Sequence, residues 1–143
     1  MINALNLLYS KSSAARILGL EYNDIERIEI WSKVIWVKPF NRKASMISKK
    51  VFKQHFVDIR KQRSLSLQLT EHLYNSNAFT VRNPRKDTHY TVYLVEDGLE
   101  CECEDYLNQI RFIGKACCKH CYRVLNHLGH RSLAEYLNDK SIA

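Results

Sequence analysis

The sequence predicts an α+β chain in two parts, and three observations carry that prediction. Apolar residues recur at helical spacing up to residue 31, alternate over 32–47, return to helical spacing up to 77 and alternate again from 78. All five cysteines crowd into residues 99–126, which read LECECEDYLNQIRFIGKACCKHCYRVLN. The charge is lopsided: residues 1–60 hold 11 Lys/Arg against 5 Asp/Glu, and residues 61–143 hold 11 against 10. The expected order is therefore helix, turn, helix, two-stranded hairpin and helix over 1–60, then a connecting helix over 61–77. An antiparallel hairpin or small sheet with a helix, pinned by the cysteines, is expected over 78–143.

In the first part, residues 3–9 form a short leucine-rich lead-in. Ser12 or Ser13 can cap the next helix, since a serine hydroxyl accepts from an orphan N–H of the first turn. Ala14, Ala15, Ile17 and Leu18 make it compact, and Gly19 ends it. Asn23 or Asp24 can cap a second helix over 23–31, along which Ile25, Ile28 and Trp31 recur at i, i+3, i+6. Residues 32–40 then alternate around Val34, Trp36 and Phe40, and 44–47 supply a second short strand. Between them the turn over 38–43 carries Lys38, Arg42 and Lys43. Ser48 caps a helix over 49–61 whose apolar stripe is Val51, Phe52, Phe56 and Ile59.

That order is the order of a winged helix-turn-helix. SAARILGL, the hairpin and ISKKVFKQHF resemble the excisionase and MerR-like DNA-binding domains, over residues 10–60. The resemblance implies a duplex-binding unit with residues 23–31 as recognition helix and 32–47 as wing. The expected recognition helix carries Asp24, Glu26 and Glu29 beside a single Arg27, which is unfavourable near phosphates. Lys38, Arg42 and Lys43 of the wing are the better contacts, with Arg27 and Lys33 beside them.

Leu65, Leu69 and Leu73, four residues apart, predict the connecting helix. From Ala78 the strand period returns in AFTVRN and THYTVYLVED, with Val81 opposite Tyr90, Val92 or Leu94 across a turn at Pro84–Asp87. Asp97-Gly98 is a tight-turn signal that sends the chain back toward the cysteines. Cys101 and Cys103, two apart on the expected strand, would point to one side. A helix follows from Ala116 to Leu128, ended by Gly129, and Ser132 caps a last short one.

Cys101-Xaa-Cys103, fourteen residues, then Cys118-Xaa-His120 offer three thiolates and an imidazole, a complete tetrahedral set for zinc. Cys117 could replace Cys118, and Cys121 could compete with His120. An odd cysteine number argues against a closed disulfide framework. Strands, Cys-Xaa-Cys, loop, Cys-Xaa-His and helix, over residues 78–128, resemble the SWIM zinc finger. The resemblance implies one structural Zn²⁺ held by Cys101, Cys103, Cys118 and His120. SWIM fingers are associated with both DNA and protein contacts; for DNA, Lys115, Lys119 and Arg123 would make them. His127 reads as a surface or packing residue.

The net charge of +7 points to nucleic acid, DNA first, as partner. No run reaches the roughly 20 apolar residues of a membrane span, and the opening residues lack the pattern of a signal peptide. A cytoplasmic protein with no membrane partner and no small-molecule substrate is expected. Four protein ligands leave no place for an activated water, and no nucleophile–base set or phosphate-cradling glycine loop is present. The expected function is therefore non-enzymatic: a transcriptional regulator or an accessory factor for excision or recombination of a mobile element. An adaptor docking a protein on the zinc finger is the alternative.

Overall fold

The computed structural model describes residues 2–142, so Met1 and Ala143, the ends of the two expected parts, lie outside it. The chain is α+β and divides into two units, Met1–Ile59 and Arg60–Ala143.

The first unit opens with helices α1 (Ala4–Leu8) and α2 (Lys11–Leu18). Asn3 and Asn6 form a reciprocal capping box on α1. Ser10, rather than Ser12 or Ser13, caps α2 by accepting from Ser13 N at 3.0 Å. Gly19 ends it at φ 71°, a left-handed conformation that glycine adopts without cost. A single 3-10 turn over Tyr22–Asp24 leads into a three-stranded antiparallel sheet, ordered β1 (Ile25–Ile30), β2 (Val34–Pro39), β3 (Ser45–Ser48).

The second helix expected over 23–31 is thus strand β1, so the expected pairing of α2 with a recognition helix over those residues is not formed. The physical reason is a β-bulge. The register jumps between Ile25 and Arg27, so one extra residue puts Ile25 and Ile28 on the same face of the sheet. That i, i+3 spacing imitates a helix, while three isoleucines in six residues favour a strand. The parity of β2 also differs from expectation. Ile35, Val37 and Pro39 are the buried positions, and Val34, Trp36 and Lys38 face the other way. Both faces of this strand are apolar enough that alternation alone does not choose between them.

Ser48 caps α3 (Lys49–Ser64), accepting from Val51 N at 3.3 Å. Phe52 seals the first core together with Tyr9, Ala14, Ala15, Ile25, Ile35 and Val37. Tyr9 meets the Phe52 ring edge-on at 5.7 Å between centroids.

The second unit is a four-stranded antiparallel sheet in sequence order, β4 (Gln68–Glu71), β5 (Ala78–Asn83), β6 (Thr88–Val95) and β7 (Gly98–Glu100). Three helices follow: α4 (Glu104–Ile113), α5 (Lys119–His127) and α6 (Leu133–Ile142). Val81 pairs with Tyr90, one of the three expected partners. The connecting helix over 61–77 is not formed. Helix α3 ends at Ser64, and residues 68–71 pair with β5 instead. The leucine spacing misleads because Leu65 and Leu73 are exposed, at 72% and 92%, so they are not a helical stripe against a core. Leu67, Val81, Val92, Leu99, Val124 and Leu125 form the second core, and Cys101, Cys103, Cys118 and Cys121 are part of it.

Candidate metal centre

Four side chains from three local structures meet in this core. Cys101 leaves the end of β7 directly. Cys103 is the N-cap of α4, where its Sγ accepts from Tyr106 N at 3.3 Å. Cys118 is the N-cap of α5, and His120 sits in that helix's first turn. The expected strand through Cys101-Glu102-Cys103 therefore stops at Glu100. Capping α4 removes Cys103 from the ladder, and Glu104 and Asp105 in the first turn suit the positive end of the helix. Two helix N-termini consequently start at the sulfur cluster, and their partial positive charge favours thiolates.

The ligand atoms of Cys101, Cys103, Cys118 and His120 all lie within 4.8 Å of one another, and all four residues are buried. His120 turns Nδ1 toward the sulfurs, 3.7 Å from Cys118 Sγ and 3.9 Å from Cys101 Sγ. Donors held at 2.0–2.3 Å by a tetrahedral ion stand roughly 3.3–3.8 Å apart. The cluster, with some contraction, could therefore hold one metal ion. His120 Nε2 is buried with no hydrogen-bond partner among the described residues, and the Tyr90 ring lies 5.0 Å from the imidazole.

Protons are shared unevenly among these sulfurs. Hydrogen bonds from Cys101 and Cys118 hold the Cys103 thiol far below its ordinary range. Cys101 is pushed far above it by the hydrogen bonds to Cys103 and Cys118 and by burial. A metal ion bound here would replace those shared protons. Of the alternative ligands, Cys121 is fully buried with its Sγ 3.6 Å from Cys118 Sγ, outside the four-ligand group. Cys117 is half-buried, and its backbone, not its thiol, is held by Gln109.

The loop before α5 is braced by a polar chain that the sequence did not reveal. Arg60 grips Asp105 with two bonds, Nε to Oδ2 at 2.9 Å and Nη2 to Oδ1 at 2.7 Å. Gln109 Nε2 donates to Asp105 Oδ2 at 3.0 Å. Helix α4 stands in place of the loop expected between the two ligand pairs; the sequence signals that would have found it are the acidic first turn, Glu104-Asp105, and the terminal Gly114. His127 is a packing residue, bonded to Glu71 Oε1 at 2.7 Å and edge-on to Phe79.

The basic residues singled out from sequence take different positions within each unit. In the first unit, Lys33 lies in the β1–β2 turn, whereas Arg42 and Lys43 lie in the β2–β3 connection, at the opposite end of β2. Six residues of strand, about 20 Å, separate the two ends. Arg27 and Lys38 are cross-strand partners on the exposed sheet face. Arg27 approaches Glu29 at 3.4 Å and stacks 5.0 Å over Trp36, and Lys38 approaches Glu26 at 3.6 Å. In the second unit, Arg123 Nε donates to Leu67 O at 3.0 Å. Lys115 is exposed. Lys119 is half-buried, its pKa lowered by burial and then by the charges of Lys86 and Arg63.

No helix among the described residues is long and apolar enough to cross a membrane. Compared with protein-family models, curated proteins and solved structures, the chain matches none.

Proposed function

We propose that the chain is a non-enzymatic DNA-binding protein whose second unit is built around one structural Zn²⁺. The observation that carries this reading is the closed set of four buried ligands, Cys101, Cys103, Cys118 and His120. Three thiolates and an imidazole are zinc's preferred donors, and four of them leave no coordination position for a reacting water. The three cysteine ligands belong to the second core and His120 is buried with them, so the ion would fold the unit rather than perform chemistry on a substrate. The same four residues are those implied by the resemblance to SWIM fingers.

The nucleic-acid half of the proposal is supported by charge, +7 overall and +6 over residues 1–60. Without a recognition helix, the three-stranded sheet becomes the reading surface in the first unit. Its open face carries Arg27, Lys38 and Trp36, with Trp31 stacked parallel to Trp36 at 6.5 Å. Sheets enter DNA grooves as well as helices do, and aromatic faces stack on bases. A regulator or a recombination accessory factor is the role that fits such a chain. One observation favours the adaptor reading instead: Met46, 67% exposed, adjoins Trp36 across β2–β3, giving the same face an apolar character.

Metal analysis of the purified chain together with gel-shift titration on random duplex at several salt concentrations tests both halves. One zinc per chain and salt-sensitive binding are expected. A zinc-free folded chain would refute the metal site, and failure to bind at low salt would refute DNA binding.

A further inference from the structure

The second unit is close to neutral in sequence, yet its charges are sorted in space. The register Gln68↔Arg82 and Asn83↔Thr88 brings the α3–β4 connection and the β5–β6 turn to one end of the sheet. That end carries Arg63, Arg82, Arg85 and Lys86. Helix α5 reaches the same end, because Arg123 bonds Leu67 O there, and Lys119 lies one helical turn before Arg123 on the same face. The opposite end carries Glu71 and the Glu96-Asp97 turn, with Lys140 bonded to the carbonyls of Val95 and Glu96 there. Charge summed along the chain hides this separation.

Most of the basic end has no internal partner. Arg82 is engaged by Asp87 at 2.8 Å. Among the described residues no carboxylate bridges Arg63, Arg85, Lys86 or Lys119 within 4.0 Å. Arg63, Arg85 and Lys86 are exposed, and Lys119 is half-buried. Like charges in excess over the neighbouring carboxylates favour an external anion.

We propose that Arg63, Arg85, Lys86 and Lys119 form a phosphate-binding surface for the backbone of a nucleic acid. The inference rests on the DNA-binding reading above and names a contact surface for it in the second unit. The cations come from three separate elements on long side chains, exposed for Arg63, Arg85 and Lys86 and half-buried for Lys119, so each can take its own phosphate of an extended polyanion. Their surroundings include the exposed polar residues Gln62, Ser66, Gln68 and His89, with exposed Leu65 as the apolar exception. Protein interfaces, by contrast, centre on buried apolar groups and are poor in lysine. Lys119 follows the metal ligand Cys118 directly, so an ion at that site would fix one edge of the surface.

The test uses the full chain, a fluorescent random-sequence duplex, and affinity measured over a salt series. The variant R63Q/R85Q/K86Q leaves the metal ligands untouched, and its metal content and circular dichroism report folding. Removing three phosphate contacts is expected to lower the slope of log affinity against log salt by roughly 3. Affinity at low salt should fall at least tenfold. A folded variant with the wild-type slope and affinity, while R42Q/K43Q weakens binding, overturns the surface and leaves the DNA-binding reading intact. If the wild-type chain binds no duplex at low salt, both fail. Polyglutamate bound as tightly as duplex, and lost in the triple variant, would assign the surface to an acidic protein and overturn the proposal.

Discussion

Gln109 closes a ring of two hydrogen bonds on the backbone of Cys117. Its Oε1 accepts from Cys117 N at 2.9 Å and its Nε2 donates to Cys117 O at 3.3 Å. The glutamine is buried, so these bonds are made where water cannot replace them. They fix the loop immediately before the ligand pair Cys118 and His120, from a helix whose own N-cap is the ligand Cys103. One side chain thus connects the two halves of the metal centre.

Gln109→Leu keeps the volume of the side chain and removes both bonds. The stranded Cys117 N–H should cost about 1–3 kcal/mol in denaturant unfolding. Zinc affinity, read by competition with a chelator, should fall on the order of tenfold, as when an outer-shell partner is lost. Unchanged affinity would mean that the loop is held without Gln109.

The Arg60–Asp105 pair reaches the same glutamine through Asp105 Oδ2. With side chains 15% and 34% exposed, the pair lies between surface and buried bridges. Asp105→Asn should therefore cost about 2 kcal/mol. Because Asp105 and Gln109 share a bond, the double variant D105N/Q109L should deviate from additivity by about 0.5 kcal/mol or more. Strict additivity in a double-mutant cycle would show the two interactions to be independent.

Tyr106 gives the second unit an alkaline limit. Its hydroxyl donates to Leu99 O at 2.8 Å, and burial, followed by nearby cysteine and Glu100 charges, pushes its pKa from 10.0 up to about 12. The sign follows from proton counting. Between those values the unfolded chain has lost the phenol proton while the folded chain keeps it, so stability falls as pH rises from 10 toward 12. Below pH 10 both states are protonated and the contribution is complete. Thermal midpoints should decline through this window, and Tyr106→Phe should flatten the decline while lowering the midpoint at neutral pH. Tyr122, whose pKa burial also raises, adds a slope of the same sign.

The four residues that could hold a metal ion were legible in the sequence because metal-site chemistry restricts both residue type and spacing. Cys101, Cys103, Cys118 and His120 are set apart by pattern before any fold is known. The strands over 78–95 were legible for a similar local reason, strict alternation between clear turns. Residues 25–30 were not, since a bulge there depends on the partner strand β2 and gives isoleucine a helical spacing. The second miss was Gln109, whose role is invisible until α4 brings it to a loop eight residues away. Arg63 and Lys86 escaped notice likewise, because only the strand register places them together.

Removing the metal should unfold the second unit and spare the first. The second core contains the three cysteines of the candidate site, with His120 buried beside them, whereas the first core, around Ile35, Val37 and Phe52, contains no cysteine. A binding free energy of about 10–16 kcal/mol for a structural zinc exceeds the stability of most small domains, so loss of the ion is loss of the fold. Amide hydrogen exchange after chelation should show Val81, Val92 and Val124 deprotected while Ile35 and Val37 stay protected. Cys103→Ala should reproduce this pattern, since it removes a ligand and the cap of α4 together. Cys117→Ala, which touches neither, should leave protection unchanged. Equal protection of the second core with and without metal would show that hydrophobic packing alone supports it.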